Sequence, residues 1–556
     1  MKKINIALIN LIVFSLLGVT SCNFLDYDES VGYSDQDKVY ETFSRAEQSL
    51  TNVYSYLDTD FGSIDGAMRD CATDDAQYVW SDCSVHIFID GRWSPRKTID
   101  TKWGLYDGIR AANQFILNMK KANYDKYKWN ADYDGWKDKS QYWISEARVI
   151  RSLLLFKLAK RYGSIPLATD IYTTSNVNDL HKSSFDDVVK YIVSECDSAA
   201  LILPVSYDGV TGAQTGRITK GAAIALKART LLYAASPLFS DNNQEKWIKA
   251  AIAAKEVIDL GVYSIEDEDV VNNIQAKGLI LSRRTSASTA FEKKNFPISF
   301  DKGNTGTCPS ENLVEAFQTV NGYDVKLTSN GWSCDDPKFN PEYPYANRDK
   351  RFYKTVLYNG ATFKNKVLEC YEDGTEGLPL EGASKTGYYL KKYIMENVDL
   401  SPVEKPVTHN WVIFRYAEIL LNYAEAMNEA YGADYTDDNF TMSALEAINK
   451  IRFRAGVPNI SSGKSKDEFR TLVQRERRVE FAFENQRFWD LRRWKIGKQT
   501  ENINGVDIVK AEDGTLSYSL KTLESRLWND KYYLYPIPMS EIYKNTNLKP
   551  QNPLWN

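Results

Sequence analysis

Histidine is nearly absent from this chain, in which only 3 of 556 residues carry an imidazole. Because imidazole is the side chain best suited to moving protons near neutral pH, this scarcity favours a protein that binds over one that shuttles protons. An excess of either charge is also missing, since 69 Lys and Arg face 74 Asp and Glu for a net charge of -5. A chain without a global positive field has little to hold a polyanion, so nucleic-acid binding is disfavoured.

Common catalytic motifs are missing as well. The sequence contains no zinc-protease helix motif and no nucleophile elbow around a serine. The triplet Gly463-Lys464-Ser465 resembles the end of a phosphate-binding loop, but Pro458 stands where the first glycine of that motif belongs. We therefore interpret this triplet as a chance match.

Cysteine is scarce, with seven residues in the whole chain. Apart from Cys22, the cysteines are Cys71, Cys83, Cys196, Cys308, Cys334 and Cys370. An exported protein could form disulfides, and the nearest pairs are Cys71 with Cys83 and Cys308 with Cys334. Sequence does not reveal connectivity, and free buried thiols are an equally open alternative.

Long hydrophobic runs are limited to residues 4–17, directly after a short positive head. A membrane-spanning helix needs about 20 consecutive apolar residues, so this run is too short to favour a span. It is typical of a secretion signal that covers residues 1–21. The following residues resemble a bacterial lipobox, with aliphatic Val19 three positions before Cys22 and small Ser21 directly before it. We predict that Cys22 is acylated and begins the mature chain, and the alternative is an ordinary signal with a chance cysteine.

Aromatic residues are abundant, with 35 Tyr, 23 Phe and 13 Trp. Rings of this kind combine an apolar body with, in Tyr and Trp, a polar tip, which suits a protein that binds ligands. Without the 21 signal residues, 535 of the 556 residues remain. A single hydrophobic core does not usually support a domain of this length. We therefore expect two lobes or one large domain built from repeats.

Helical periodicity is present toward both ends of the chain. Apolar residues at spacings of three and four predict a first helix through Ala46, Leu50, Val53 and Leu57. Further helices are predicted over 103–116, 144–158, 185–203, 217–235, 245–259, 414–430, 441–454 and 467–490. Helices in pairs with short connections indicate stacked units of the tetratricopeptide kind. The fold class predicted is mainly α, a helix-pair scaffold with a loop-rich, partly β insertion.

The insertion covers residues 263–410, which are rich in Gly, Asn, Pro and Tyr. Irregular segments of this length in a folded protein are usually functional, so we expect part of a ligand surface there. The predicted organisation is a signal peptide over 1–21, a helical region over 22–262, the loop-rich region over 263–410, and a second helical region over 411–556.

Three C-terminal stretches stand out: 414–426 (FRYAEILLNYAEA), 445–457 (LEAINKIRFRAGV) and 480–494 (EFAFENQRFWDLRRW). The closing elements are 535–538 (YPIP) and 551–553 (QNP). Earlier matching stretches are 103–113 (WGLYDGIRAAN), 146–167, 221–233, 313–322 (LVEAFQTVNG), 345–353 (YANRDKRFY) and 386–393 (TGYYLKKY). In this order, the stretches resemble the SusD/RagB family over nearly the whole mature chain.

This resemblance implies a tetratricopeptide-like outer-membrane lipoprotein, anchored through Cys22 and exposed at the cell surface. Such proteins bind a glycan and deliver it to a SusC-like TonB-dependent transporter, and they are not catalysts. Asp26, Asp28 and Glu29 loosely resemble the family's surface-export signal. No cofactor and no metal site are expected, and nucleic acid is not an expected partner.

Candidate ligand residues come from two irregular segments, because sugar rings stack on exposed aromatic faces while their hydroxyls need polar partners. The candidates in segment 69–93 are Asp74, Asp75, Tyr78, Trp80 and Trp93. The candidates in segment 308–345 are Trp332, Tyr343 and Tyr345. The resemblance does not transfer roles to these positions one by one, because ligand-contacting loops vary within the family.

The arginines between 475 and 493 favour a structural role. They alternate with carboxylates on one predicted helix, at spacings of three and four that allow ion pairs. The residues concerned are Arg475, Arg477, Arg478, Arg487, Arg492 and Arg493, with Glu476, Glu480, Glu484 and Asp490. We predict an ion-pair network rather than a phosphate-binding face.

Two other functions remain open from sequence. A surface glycoside hydrolase needs only two suitably spaced carboxylates, and 74 acidic residues cannot exclude such a pair. A peptide-binding helical-repeat scaffold is the second alternative, because grooves of this kind usually bind peptides.

Overall fold

The computed structural model describes residues 36–58, 61–211, 214–265 and 270–555. The signal over 1–21, the acylation of Cys22 and the acidic residues Asp26, Asp28 and Glu29 lie outside these described residues. The statements below refer to the described part of the chain.

The N-terminal half contains the six predicted helices in order, together with two short helices that the sequence did not predict. They are α1 (Gln36–Val39), α2 (Phe43–Tyr54), α3 (Leu105–Met119), α4 (Tyr133–Ser140), α5 (Trp143–Tyr162), α6 (Phe185–Ala200), α7 (Lys220–Ala235) and α8 (Gln244–Ile258). In α2 the Thr42 side chain accepts a hydrogen bond from the Arg45 amide, which caps the helix start. Ala46, Leu50 and Val53 form its buried stripe, so the predicted face is confirmed for these residues, whereas Leu57 lies beyond the end of the helix. None of the described helices combines the length and hydrophobicity that crossing a bilayer requires.

Neighbouring helices pack in sequence order, as expected for stacked helix pairs. Helix α3 packs on α5, α5 on α6, α6 on α7 and α7 on α8. Helix α5 lies at the centre of this stack and is buried on almost every side, including the charged residues Glu146 and Arg151. The mainly α, helix-pair fold class is therefore confirmed.

The second set of helices begins with three short ones inside the loop-rich segment, after which the longer helices resume the same stack. Its members are α9 (Ala290–Asn295), α10 (Glu311–Val314), α11 (Lys350–Thr355), α12 (Tyr416–Ala430), α13 (Ala444–Ala455), α14 (Lys466–Glu480), α15 (Arg487–Arg493) and α16 (Met539–Lys544). Helix α12 packs on α8 as well as on α13 and α14. The long segment between α8 and α12 therefore leaves the helical stack and returns to the same place.

All strands of the described chain form two-stranded antiparallel pairs. They are β1 (Ser63–Ile64), β2 (Ala67–Met68), β3 (Ala76–Tyr78), β4 (Ile165–Pro166), β5 (Lys182–Ser183), β6 (Leu279–Arg284), β7 (Thr307–Pro309), β8 (Val325–Thr328), β9 (Gly331–Cys334), β10 (Val356–Leu357), β11 (Thr362–Phe363), β12 (Lys366–Val367), β13 (Tyr389–Leu390), β14 (Asn410–Arg415), β15 (Asn502–Lys510) and β16 (Leu516–Ser525). Strands β6 and β14 pair with each other, with Arg284 opposite Asn410. This pair closes the base of the loop-rich segment.

The predicted helix over 467–490 is wrong as one element, because α14 ends at Glu480 and α15 starts at Arg487. Between them Phe483 and Asn485 have φ angles of 60° and 59°. This left-handed conformation cannot continue a right-handed helix, although Asn tolerates it better than most residues. The start of α14 agrees with the prediction, since Ser465 and Glu468 form a capping box.

Five of the six arginines of this region form ion pairs, mostly with carboxylates on other elements, so the predicted network is confirmed in part. Arg492 has no carboxylate partner in the described residues and instead lies over the ring of Phe488. The carboxylates of Glu476, Glu480 and Glu484 pair with arginines outside this group.

Arg493 pairs with Asp490 at 2.7 Å on its own helix and contacts Glu425 on α12 at 2.7 Å. Arg477 also reaches Asp490, at 3.1 Å. Because these groups are almost fully buried, each charge depends on its partner for solvation. The network therefore joins α14 and α15 to the rest of the stack.

All six cysteines in the described residues are free, and five of them are buried. Burial raises the pKa of the Cys196 thiol well above its ordinary range. The sequence left disulfides and free thiols open as alternatives, and the structure has free thiols.

Candidate functional site

The two candidate segments meet through a short strand pair. Strand β3 of the first segment pairs with β7, at the start of the second, with Ala76 opposite Pro309 and Tyr78 opposite Thr307. Every residue of both strands is buried, so this pair attaches the loops to the core. The segments are neighbours, as a shared surface requires, but much of each lies inside the protein.

Asp74 and Asp75 are buried ion-pair partners of α14 and α15. Asp74 lies 2.7 Å from Arg487, and Asp75 lies 2.6 Å from Arg478. Burial alone would raise the pKa of Asp74, but Arg478 and Arg487 outweigh it and lower the pKa to about 2. The Asp75 residue is 0% exposed. These carboxylates attach the first loop to the C-terminal helices, a position that does not fit the predicted role of orienting ligand hydroxyls.

Trp93 is part of the core and is 1% exposed. Its ring centroid lies 4.7 Å from that of Phe88, 4.8 Å from Tyr535 and 5.1 Å from Trp555. Tyr78, on β3, is also buried. A ring enclosed by other rings has no free face for a sugar, so the predicted stacking role does not fit Trp93.

The second segment buries two of its three candidate rings. Trp332 on β9 packs edge to face on Tyr345, with centroids 5.7 Å apart, and also contacts Tyr518. The hydroxyl of Tyr345 lies 3.2 Å from that of Tyr388. By contrast, Tyr343 is 67% exposed. Only Tyr343 of these three therefore presents most of its surface to solvent.

Trp80 is partly exposed, unlike Trp93 and Trp332. Its indole Nε1 donates a hydrogen bond of 2.9 Å to the carbonyl oxygen of Asn304. Gly382 has a φ of 80°, and a Cβ atom at this position would lie 3.1 Å from both Trp80 and Ile298. The indole is therefore held on one side by a glycine backbone and fixed at its polar edge.

We call Trp80, Ile298, Asn304, Leu380 and Gly382 the Trp80 surface. Leu380 is 46% exposed and lies two residues before Gly382, while Asn304 is exposed. An indole whose supporting segments carry an exposed amide and an exposed aliphatic side chain can stack on an apolar face of a ligand and offer polar groups to it. No cluster of His, Cys, Asp or Glu suited to a metal ion occurs in the described residues.

The sequence interpretation missed the contributions of Ile298, Asn304 and Gly382. These residues are about 220 to 300 positions from Trp80 along the chain, and none carries a motif of its own. The available signal was Gly382 in an irregular segment, because glycine often marks close approach of the backbone to another group.

Two family sequence models match the chain. A model described as "SusD family" matches residues 279–555, and one described as "Starch-binding associating with outer membrane" matches residues 23–232. The chain is 24% identical to SusD-like protein P2 of Formosa agariphila over 462 residues, which are 81% of this chain and 79% of that protein. The second description associates proteins of this kind with the outer membrane.

Solved structures agree with the sequence matches. A SusD-like protein from Bacteroides fragilis superposes with a TM-score of 0.78 at 25% identity, covering 95% of this chain and 99% of its own. A SusD-like carbohydrate-binding protein from the same species has a TM-score of 0.74 at 24% identity and covers 92% of this chain and 100% of its own. Because the two models and these relatives together span both halves of the molecule, the chain belongs to the SusD/RagB family.

Proposed function

We propose that this protein is a surface-exposed outer-membrane lipoprotein that binds a glycan at the Trp80 surface and delivers it to a SusC-like TonB-dependent transporter. The observation that carries the proposal is the indole of Trp80, which is partly exposed and fixed by Asn304 and Gly382. A similar protein from Bacteroides fragilis is described as carbohydrate binding, which supports a glycan ligand.

The chemistry of the Trp80 surface suits a sugar ring. Because the indole is already held in place, little side-chain entropy is lost when a ligand stacks on it. Each aromatic contact is worth about 0.5–1.5 kcal/mol beyond burial. A few such contacts with hydrogen bonds give a dissociation constant of about 1 μM to 1 mM, or about -8 to -4 kcal/mol. This range is useful for a protein that must release its ligand to a partner.

Replacement of Trp80 by alanine is expected to weaken glycan binding about tenfold or more, a loss of about 1.4 kcal/mol. The melting temperature should change little, because a partly exposed ring contributes less to the core than a buried one. Affinity electrophoresis against a panel of soluble polysaccharides identifies a ligand, and calorimetric titration then measures the affinity of the variant.

The matched control is Trp129→Ala, since Trp129 is 87% exposed and lies between α3 and α4. This variant should bind and melt as the wild type does. If Trp80→Ala and Trp129→Ala bind the glycan equally well, the binding surface does not include Trp80.

The lipid anchor is a separate prediction. Replacement of Cys22 by alanine should move the protein from the outer-membrane fraction to the soluble fraction and abolish palmitate labelling. The reason is that acyl chains on one cysteine supply the stable attachment, and the run over 4–17 is too short to span. Membrane-bound, palmitate-labelled Cys22→Ala protein would show that the anchor lies elsewhere.

Complex formation with a transporter is the third part of the proposal. Purification of the tagged lipoprotein from its native outer membrane in mild detergent should recover a large barrel protein in a stoichiometric amount. The family membership of the chain supports this partner. Repeated recovery of the lipoprotein alone, under conditions that preserve other membrane complexes, would count against delivery to a barrel.

A further inference from the structure

A groove lies on the N-terminal helices, built from none of the residues of the Trp80 surface. Its walls are the first three turns of α3 with the residues before them, the irregular segment 166–180, and residues 541–548 near the C-terminus. The volume of the groove is about 250 Å³. This value is just below the roughly 300–1,000 Å³ of typical small-ligand sites, so it suits one part of a longer ligand.

Buried hydrogen bonds hold the walls in place. The Asn113 amide donates to the carbonyl oxygens of Ala168 at 3.0 Å and Asp170 at 2.8 Å. Arg151 donates to the other side of the same amide, at 2.6 Å, and so fixes its orientation. On the opposite wall, Asn545 donates to the carbonyl oxygen of Leu180 at 2.8 Å. The groove is therefore pre-formed and does not need a ligand to order it.

Three partly exposed rings line the groove: Trp103, Tyr106 and Tyr172. Trp103 is supported from behind by the edge-to-face ring of Tyr162, with centroids 5.3 Å apart. Tyr106 donates its hydroxyl hydrogen to the carbonyl oxygen of Pro166 at 2.9 Å, which leaves its ring as the available surface. Rings held in this way offer flat apolar faces to a ligand.

Polar side chains alternate with these rings. Asp107 and Arg110 are exposed at the start of α3, and the side chain of neither has a hydrogen bond or ion pair within the described residues. The charged lining comprises Asp107, Asp170 and Glu541 against Arg110 and Lys544, a net charge of -1. Such a balance does not favour a phosphate or another strongly anionic ligand. Carboxylate and guanidinium groups beside aromatic rings instead match the hydroxyls and C–H faces of a neutral sugar.

A peptide strand fits this groove less well. Extended peptides add to exposed strand edges through main-chain hydrogen bonds. Along the wall 166–170, however, the carbonyl oxygens of Pro166, Ala168 and Asp170 already accept hydrogen bonds from Tyr106 and Asn113. The main chain of this wall is therefore largely occupied by the protein's own side chains.

We propose that this groove is a second glycan-binding subsite, which holds a neutral segment of the same polymer that contacts the Trp80 surface. The inference rests on the proposed glycan-binding function and extends it to a second position. Two subsites that engage one polymer raise its apparent affinity without any new contact at either one, provided the polymer spans both.

The test replaces Tyr172 by alanine. Tyr172 is partly exposed, lies outside any helix or strand, and has no hydrogen bond within the described residues, so its loss should leave folding unchanged. The matched control is Tyr543→Ala, because Tyr543 is 73% exposed on α16 but does not line the groove. Thermal melts of both variants establish that each is folded.

The probes are amylopectin, laminarin, pullulan and xylan in affinity gels, followed by a hexasaccharide of the retained polymer in calorimetry. The wild type should show two sites for the hexasaccharide, and Tyr172→Ala and Trp80→Ala should each show one. The apparent affinity for the polymer, measured from the retardation of the protein in the gel, should fall about tenfold or more in each single variant. Retardation should disappear in the double variant. Tyr543→Ala should behave as the wild type.

A single site in the wild type, or unchanged binding by folded Tyr172→Ala, would overturn the second subsite while leaving the Trp80 surface intact. Loss of barrel recovery by Tyr172→Ala without loss of glycan binding would assign the groove to protein contact and also overturn the inference. Failure of the wild type to bind any of the four polymers would contradict the proposed function on which the inference rests.

Discussion

Replacing Arg493 by alanine is expected to destabilise the protein by about 3–5 kcal/mol, the usual cost of removing one partner from a buried ion pair. Arg493 is 0% exposed and contacts Glu425, Asp490 and the hydroxyl of Ser236. Its removal leaves the Glu425 carboxylate buried with the indole N–H of Trp494 as its remaining close hydrogen-bond donor. Urea unfolding, monitored by circular dichroism, measures the change in the free energy of unfolding.

The control for this prediction is an ion pair that is exposed on both sides. Lys249 on α8 pairs with Glu245, and the two side chains are 58% and 72% exposed. Exposed ion pairs contribute little to stability, so Lys249→Ala should unfold close to the wild-type midpoint. Equal destabilisation by Lys249→Ala and Arg493→Ala would mean that burial of an ion pair does not determine its contribution.

Trp93→Ala is expected to cost about 3–5 kcal/mol of stability, as is usual when a large aromatic side chain is removed from a core. The cavity would open between Phe88, Tyr535 and Trp555, which come from opposite ends of the chain. Glycan affinity of the folded fraction should be unchanged, because Trp93 is 1% exposed. Thermal melts and calorimetric titration measure the two quantities separately.

Trp80→Ala is the natural comparison, since the two tryptophans are 13 residues apart and should give opposite results. A Trp93→Ala protein that melts as the wild type does but loses its glycan would restore the ligand role that the sequence suggested for this residue. Together, Trp80→Ala and Trp93→Ala compare the loss of a partly exposed ring with the loss of a buried ring in the same segment.

The helical stack could be predicted from sequence because its signal is local. In α2, residues Ala46, Leu50 and Val53 recur at helical spacing, and Ser465 with Glu468 marks the start of α14. The break between α14 and α15 could not be predicted, because it depends on distant residues. Arg69 donates to the Asn485 side chain, and the backbone of Gly62 lies against the same side chain.

The candidate site was harder to predict for a similar reason. A loop rich in Trp, Tyr and Asp has the composition of a sugar-binding surface, but composition does not state which side of each ring is covered. Burial of Trp93 depends on Tyr535 and Trp555, and ion pairing of Asp74 depends on Arg487, all more than 400 positions away. The close packing of the Trp80 indole likewise depends on Gly382, about 300 positions away. The family of the chain was clear from its motifs, whereas the exposure or burial of each candidate ring required the folded molecule.

The pairing of β6 with β14 has a consequence for how such proteins diversify. Arg284 and Asn410 are opposite each other in the sheet, and α8 packs on α12, so the two ends of the intervening 125 residues are held at one place. The entropic cost of lengthening a closed loop is small, about 0.6 kcal/mol for each doubling. Exposed turns within 285–409 can therefore gain or lose residues during evolution while the helices keep their packing. The fold thus separates a segment whose length and sequence can change from a helical stack whose packing must be kept.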